Sequence, residues 1–298
     1  MDNKIGITYT HWATNFDQDL SDLISYLRKA SDLGFEVVEL FPSVVLDLSE
    51  EEQKKLGESA KEENIDLNYV TALSEEYDIS SKKKDIRDNG INHLKEIIKA
   101  IHKTGGKKLS GVIYGALGKV PEVGESKSDH LKRSVESMKE AIKVAEDLDI
   151  LVNVEAVNRY ETFMLNTSEE AIDYVERVNS PNLKIHLDTY HMNIEEDDLR
   201  EAIVNAGDDL GHFHVGENNR KPPGMGGHID WDEVMLGLKE NGYRGSIVME
   251  PFIQSEGEVG FMLKVWRNMI EDKDLDEEAK KSLQFVKNKL ENSKENKN

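Results

Sequence analysis

Four short apolar runs in the second half of the chain each end in a side chain that can bind a metal or move a proton. They read Leu151-Val152-Asn153-Val154-Glu155, Ile185-His186-Leu187-Asp188, His212-Phe213-His214 and Ile247-Val248-Met249-Glu250. A single glutamate at the end of a strand is as often a salt-bridge partner as a functional group. Four successive strands closing on three carboxylates and one imidazole form a pattern, because adjacent parallel strands lie about 4.8 Å apart and their ends can converge. Three carboxylates cannot share a dry site without a strong countercharge. One divalent cation held by Glu155, Asp188, His214 and Glu250 would supply it. Oxygen-rich ligation with one imidazole suits Mn²⁺, Co²⁺ or Mg²⁺ better than a structural Zn²⁺.

More polar residues follow these runs: Arg159 and Glu161 after the first, His191 after the second, Glu217 and Arg220 after the third. They add polar groups to the same mouth. For Arg159 and Glu217, loop solvation or structural pairing serves as an equal explanation. His186 and His212 each lie two residues before a candidate ligand, so on a strand they face the same way. They read as interior packing or as support for ligands. The stretch Pro222-Pro223-Gly224-Met225-Gly226-Gly227-His228 lacks the Gly-Lys-Ser/Thr ending of a phosphate-binding loop. It reads as a connection to a helix starting near Trp231.

Such a convergence needs strands that all point one way. Eight candidates alternate with helical segments: Ile5–Thr10, Val37–Phe41, Leu67–Thr71, Leu109–Tyr114, Ile150–Ala156, Leu183–Thr189, Gly211–Gly216 and Ser246–Pro251. Each is a short run rich in β-branched, aliphatic or aromatic residues, as strands buried on both faces of a parallel sheet require. Between them, apolar residues recur at helical spacing, as in Leu20, Leu23, Ile24 and Leu27, or Ile91, Leu94, Ile97, Ile98 and Ile101. Ser49 with Glu52, Thr167 with Glu170 and Asp230 with Glu233 have the spacing of capping boxes. Gly34, Gly105 and Gly242 fall where helices should stop. Eight such units predict a closed (β/α)₈ barrel, a TIM barrel, whose site lies at the C-terminal strand ends. No G-x-G-x-x-G follows the first strand, which argues against a dinucleotide fold. A stripe of Ala279, Leu283, Val286 and Leu290 predicts an additional C-terminal helix covering the barrel or a partner subunit. The expected organisation is a single catalytic domain over residues 1–298, with Glu291–Asn298 as a frayed polar tail.

The 298 residues are 38% hydrophobic and 33% charged, as expected of a globular chain rather than a disordered one. No apolar run approaches the length of a membrane span. The N-terminal residues lack a signal-peptide pattern, and a cytoplasmic location is expected. With no cysteine, disulfides, thiolate metal sites and cysteine nucleophiles are excluded. A net charge of −21 opposes nucleic-acid binding, which depends on neutralising phosphates. It also weighs, less strongly, against a sugar phosphate as substrate.

At these residues the sequence resembles the ketose 3-epimerases, the D-tagatose/D-psicose (allulose) group within the xylose-isomerase-like barrel superfamily. The matching segments run from Tyr9-Thr10-His11-Trp12 and Ser74 through Arg87 to Val154–Glu161, Asp188–Glu196, His212–Arg220, Gly227–Trp231 and Met249–Phe252. The chain departs from the family's usual pattern at Tyr114–Gly118 and at Thr8, where an aromatic residue is common. The resemblance implies metal-dependent epimerisation of a free ketose at C3 through an enediolate. D-fructose/D-psicose and D-tagatose/D-sorbose are examples of such pairs. It implies metal ligation by Glu155, Asp188, His214 and Glu250, with Glu155 and Glu250 also forming the acid/base pair. Glu161, His191 and Arg220 fall on the family's substrate contacts, and Phe252 is expected to line the apolar side of the pocket. A homodimer or homotetramer is expected, with neither nucleic acid nor membrane as a partner. Two other readings remain open at this point. One is another sugar isomerase or an inosose dehydratase on the same scaffold. The other is a nuclease of the endonuclease IV type, which would need more metal-binding histidines and a basic face.

Overall fold

A computed structural model describes residues 2–270 and 274–295. Eight parallel strands close on themselves in sequence order: β1 Ile5–Thr8, β2 Val37–Leu40, β3 Asp66–Leu73, β4 Lys108–Ala116, β5 Leu151–Glu155, β6 Leu183–Asp188, β7 Leu210–Val215 and β8 Ile247–Met249. All eight correspond to runs expected from the sequence. The differences are of one or two residues at the ends. β1 stops at Thr8 because Tyr9–His11 turn into a short 3₁₀ helix. β8 stops at Met249, so Glu250 lies just beyond the last strand.

The helices are α1 Leu20–Leu33, α2 Ser43–Leu46, α3 Glu50–Glu62, α4 Lys84–Lys103, α5 Lys127–Leu148, α6 Ser168–Val178, α7 Thr189–Glu195, α8 Leu199–Asn205, α9 Trp231–Asn241, α10 Gly257–Met262 and α11 Leu275–Glu295. The longer ones bury their apolar stripe against the barrel and leave charged faces outside. Leu23 and Leu27 of α1, and Leu94, Ile97, Ile98 and Ile101 of α4, all lie in the core. The reciprocal cap predicted at Ser49 and Glu52 forms, and an unforeseen one joins Asp19 to Asp22. Thr167 and Asp230 also cap their helices, but Glu170 and Glu233 do not reciprocate. Glu170 is held by Lys127 and the Asn166 amide, and Glu233 by Arg200. Gly34 and Gly242 end α1 and α9 in the left-handed region, where a glycine pays no steric penalty.

The C-terminal helix covers its own barrel. Ala279, Leu283, Val286 and Leu290 are buried, and α11 packs over α9 and α1. Trp12 Nε1 donates to Asp276 Oδ1 at 2.7 Å, so the segment after β1 pins the start of this helix. Glu291–Glu295 continue the helix, with Ser293 buried beneath Lys239. The last three residues of the expected tail lie outside the described residues. Among the described residues, no helix is long and apolar enough to cross a membrane.

The barrel interior is unusually polar. Glu39, Asn68, Ser110, Asn153, His186 and His212 are all buried. Asn68 Nδ2 reaches across to Ser246 Oγ at 3.0 Å, and Asn153 Nδ2 to Ser110 Oγ at 3.0 Å. Buried amides and hydroxyls are tolerated when they bond to each other. Asn153 Oδ1 and both ring nitrogens of His186 and His212 are buried without a hydrogen-bond partner.

Candidate active site

Each of the four strand-end residues is set by local hydrogen bonds. Glu155 ends β5, where Tyr114 Oη donates to its carbonyl at 2.8 Å. Asp188 ends β6 and caps α7, accepting from Tyr190 N through Oδ1 at 2.9 Å, which leaves Oδ2 for the barrel mouth. His214 lies beside Asp188 in register. Thr189 Oγ1 ties the ends of β6 and β7 together through both the N–H and the carbonyl of Gly216. Glu250 follows β8 directly.

These side chains converge. Donor atoms of Asp188, His214 and Glu250 all lie within 4.8 Å of one another, and those of Glu155, Asp188 and His191 do likewise. His214 Nδ1 is 3.6 Å from Glu250 Oε2. That nitrogen is buried without a hydrogen-bond partner. The charge balance is uneven. Burial, together with the neighbouring Glu250 and Asp188 carboxylates, pushes Glu155 well above the usual carboxylate range. Asp188 is also raised by burial, against the pull of Arg220. Burial would lower His214, but Glu39 and Glu250 outweigh it and hold the imidazole well above its ordinary value. His214, Asp188 and Glu250 together offer oxygen-rich donors with one imidazole nitrogen, a set that suits a divalent cation. These buried groups could hold a metal ion.

A cavity of about 600 Å³ opens above them. Glu155, Glu161, His191, Arg220, Glu250 and Phe252 line it, together with apolar groups such as Phe16 and Leu117. Asp188 and His214 are buried and do not line it. A second cavity of about 590 Å³, at the N-terminal end beside Lys108 and Ser246, contains none of these residues.

Arg220 organises the cavity wall. Its Nη1 donates to Asp188 Oδ2 at 2.8 Å and to Glu250 Oε2 at 3.0 Å. Its guanidinium lies 3.7 Å from the Tyr190 ring centre and 5.1 Å from that of Phe252, within reach of cation–π attraction. The backbone at Arg220 is left-handed, with φ at 64°. Such strain persists only where the surroundings over-determine it, and the bonds just named do so. His191 Nδ1 accepts from the Asn158 backbone N–H at 3.2 Å, so the ring proton lies on Nε2. Arg220 Nη2 approaches that Nε2 to 3.1 Å. The two nitrogens are neighbours on the cavity wall. Burial and the Arg220 charge hold His191 well below its ordinary value, so it acts as a neutral donor. Glu161, raised by burial, is steadied by Asn158 Nδ2 at 3.3 Å.

Two residues expected near the mouth do other work. Arg159 turns outward to an ion pair with Glu195 at 2.6 Å. Glu217 accepts from Gly224 N at 2.7 Å and Trp231 Nε1 at 3.0 Å, pinning the glycine-rich loop to α9. Two residues were not anticipated. Tyr190 gave no signal beyond its place beside Asp188. Glu39 did give one, as a lone acid in Val37-Val38-Glu39-Leu40, and it is fully buried against His214.

Known proteins resemble this chain along most of its length. The family described as Xylose isomerase-like TIM barrel matches residues 27–289. The D-psicose 3-epimerase of Ruminiclostridium cellulolyticum is 38% identical over 97% of this chain and 98% of its own. The L-ribulose 3-epimerase of a Methylomonas species is 35% identical over 87% of this chain and 88% of its own. A solved structure of D-psicose 3-epimerase with D-tagatose, from Clostridium cellulolyticum H10, superposes with a TM-score of 0.92. It is 37% identical and covers 96% of this chain and 99% of that one.

Proposed function

The chain belongs to the ketose 3-epimerases of the xylose isomerase-like TIM-barrel family and is an enzyme of the isomerase class; from that premise we propose that it inverts C3 of a free ketose, with the whole chain acting as one catalytic unit. Ketoses of the psicose and ribulose type, in whose names the relatives are described, are the expected substrate class. D-fructose/D-psicose is the first pair to test and D-tagatose/D-sorbose the second.

One observation supports the reading most: Glu155 and Glu250 border the same cavity from β5 and β8, with His191 and Arg220 beside them. Inversion needs a base on one face of C3 and an acid on the other. The C3 proton lies next to the C2 carbonyl. One carboxylate takes it, the C3–H electron pair moves into the C2–C3 bond, and the carbonyl oxygen becomes anionic, giving an enediolate. The other carboxyl, protonated, returns a proton to the opposite face. Burial and mutual repulsion, which raise Glu155, support one protonated and one ionised member. In this reading Glu155, Asp188, His214 and Glu250 hold one Mn²⁺ or Co²⁺ per chain, with Mg²⁺ as an alternative. Such an ion would supply positive charge against the developing oxyanion. His191 Nε2–H and Arg220 Nη2 fix O1 and O2, Glu161 accepts from a hydroxyl near C1, and Phe252 packs on the apolar face. A free sugar is favoured over a phosphorylated one because, among the described residues, Arg220 is the only arginine or lysine lining the cavity. Its charge is already engaged by Asp188 and Glu250.

The test is the reaction of D-fructose in deuterium oxide with Mn²⁺ or Co²⁺ present, followed by NMR. Deuterium at C3 of the ketose and a C3 epimer as product are expected. Label at C1, or an accumulating aldose, would replace this reading with aldose–ketose isomerisation.

A further inference from the structure

The carboxylate of Glu39, on β2, reaches the imidazole of His214 on β7 inside the barrel. It is fully buried in the middle of the apolar strand β2. A buried carboxylate carries a heavy desolvation cost unless it is paired, so its partners should show why it is there. Its Oε1 accepts from His214 Nε2 at 2.5 Å. Its Oε2 lies 2.8 Å from His212 Nε2, out of line for a hydrogen bond. Neither oxygen faces the substrate cavity, and Glu39 does not line it.

We propose that Glu39 is a positioning residue for His214, fixing the ring so that Nδ1 is presented toward Asp188 and Glu250 as a metal ligand. The inference rests on the metal reading given above and deepens it. A ring nitrogen bonded to a carboxylate carries its proton, so a neutral His214 keeps its lone pair on Nδ1. That nitrogen is buried, unpartnered and 3.6 Å from Glu250 Oε2. The hydrogen bond also fixes the ring plane. Turning the ring over would move Nδ1 away from the carboxylates and leave Glu39 without its donor. A ligating imidazole whose second nitrogen donates to a carboxylate is a recurrent way of setting tautomer and basicity together, and removing the carboxylate weakens metal binding tenfold to a hundredfold. The negative charge on Glu39 further offsets the divalent charge.

The experiment titrates Mn²⁺ and Co²⁺ into the chelator-stripped full chain, as wild type and as Glu39→Gln, by calorimetry. Circular dichroism reports folding, and melting curves are recorded with and without metal. The expected result is a folded variant that binds either ion about 10- to 100-fold more weakly, with a smaller rise in Tm on adding metal. A merely structural role would lower Tm equally with and without metal and leave the metal Kd unchanged; that result overturns the proposal while leaving the metal site intact. A wild type that binds neither ion overturns the metal reading, and this inference with it. Should the variant fail to fold, proton NMR of the Co²⁺-loaded wild type decides the matter. A strongly shifted, exchangeable ring proton assigned to His214 Nε2 is expected, and its absence or assignment to Nδ1 overturns the proposal.

Discussion

Two buried groups of charges lie at the same end of the barrel, and they are balanced in opposite ways. Beside α4, Asp78 meets Lys119 Nζ at 2.6 Å, and Ser80 offers Oγ at 2.6 Å and its backbone N–H at 2.8 Å. One carboxylate has one ammonium and two further donors, so the group is complete. At the mouth, Glu155, Asp188, Glu250 and Glu161 face one guanidinium, that of Arg220, and the His214 imidazole that Glu39 also holds. Burial would raise Asp78, but Lys119 and Ser80 outweigh it and hold it below the usual carboxylate range. Burial raises Glu155, Asp188 and Glu161, and nothing nearby suffices to bring them back. A balanced buried pair holds two loops together. A surplus of buried carboxylates is what the proposed cation would balance.

Removing charge from the surplus group is expected to have the largest effect. Glu155→Gln and Glu250→Gln are each expected to lose at least about a hundredfold in kcat, the low end for general acid–base catalysis. Metal content must be measured on the same samples, because either change can also release the ion. A variant that keeps its metal and turns over normally shows that its residue moves no proton.

Adding the missing charge is the next largest effect. A metal bound only by the folded chain stabilises it by mass action, about 2.7 kcal/mol at a hundred times Kd. The pH dependence follows from the sign of the shifts. Glu155 and Asp188 have raised values in the folded, metal-free chain. Their contribution to stability is therefore most favourable in acid, and it is lost as pH rises from the unfolded value near 4 through the raised folded values. Metal binding needs the same groups ionised, so its stabilisation grows with pH. The gap in Tm between loaded and chelated protein should widen from pH 5 to pH 8, as scanning calorimetry would show. A gap that is constant or narrows with pH would mean that these carboxylates are not the ligands.

The contrast between the two groups also explains what could be read from the sequence. Glu155, Asp188, His214 and Glu250 stand out because each closes an apolar run, and strand geometry then brings the ends together. The eight strands and the stripe of α11 were legible for a similar reason, since burial imposes periodicity on residue type. Glu39 could be seen as odd but not assigned, because His214 lies on β7 and only barrel closure brings β2 near it. Arg159 and Glu161 are two residues apart, yet one faces solvent and the other the cavity. The path of a loop decides that, and residue type does not encode it. Glu217 follows the run ending in His214 by three residues, but it turns into a loop brace because Gly224 and Trp231 offer it donors.

The balanced group gives the smallest effect and the cleanest control. Asp78→Asn keeps an oxygen for Ser80 but removes the charge facing Lys119. Hydrogen bonds to charged groups are worth about 1.5–3 kcal/mol, and a loss of that order in unfolding free energy is expected at neutral pH. The sign of the pH dependence is opposite to that of the surplus group. Asp78 has a depressed folded value, so its contribution is fully present above the unfolded value, about 3.9. It is lost as pH falls through the lower folded value. Denaturant titrations of wild type and Asp78→Asn should therefore differ most at neutral pH and converge in strong acid. Metal affinity should be unchanged, since Asp78 touches none of the groups at the barrel mouth. A fall in metal affinity with Asp78→Asn would mean that the two groups are coupled through the loops they share, and the line between scaffold charge and site charge would have to be redrawn.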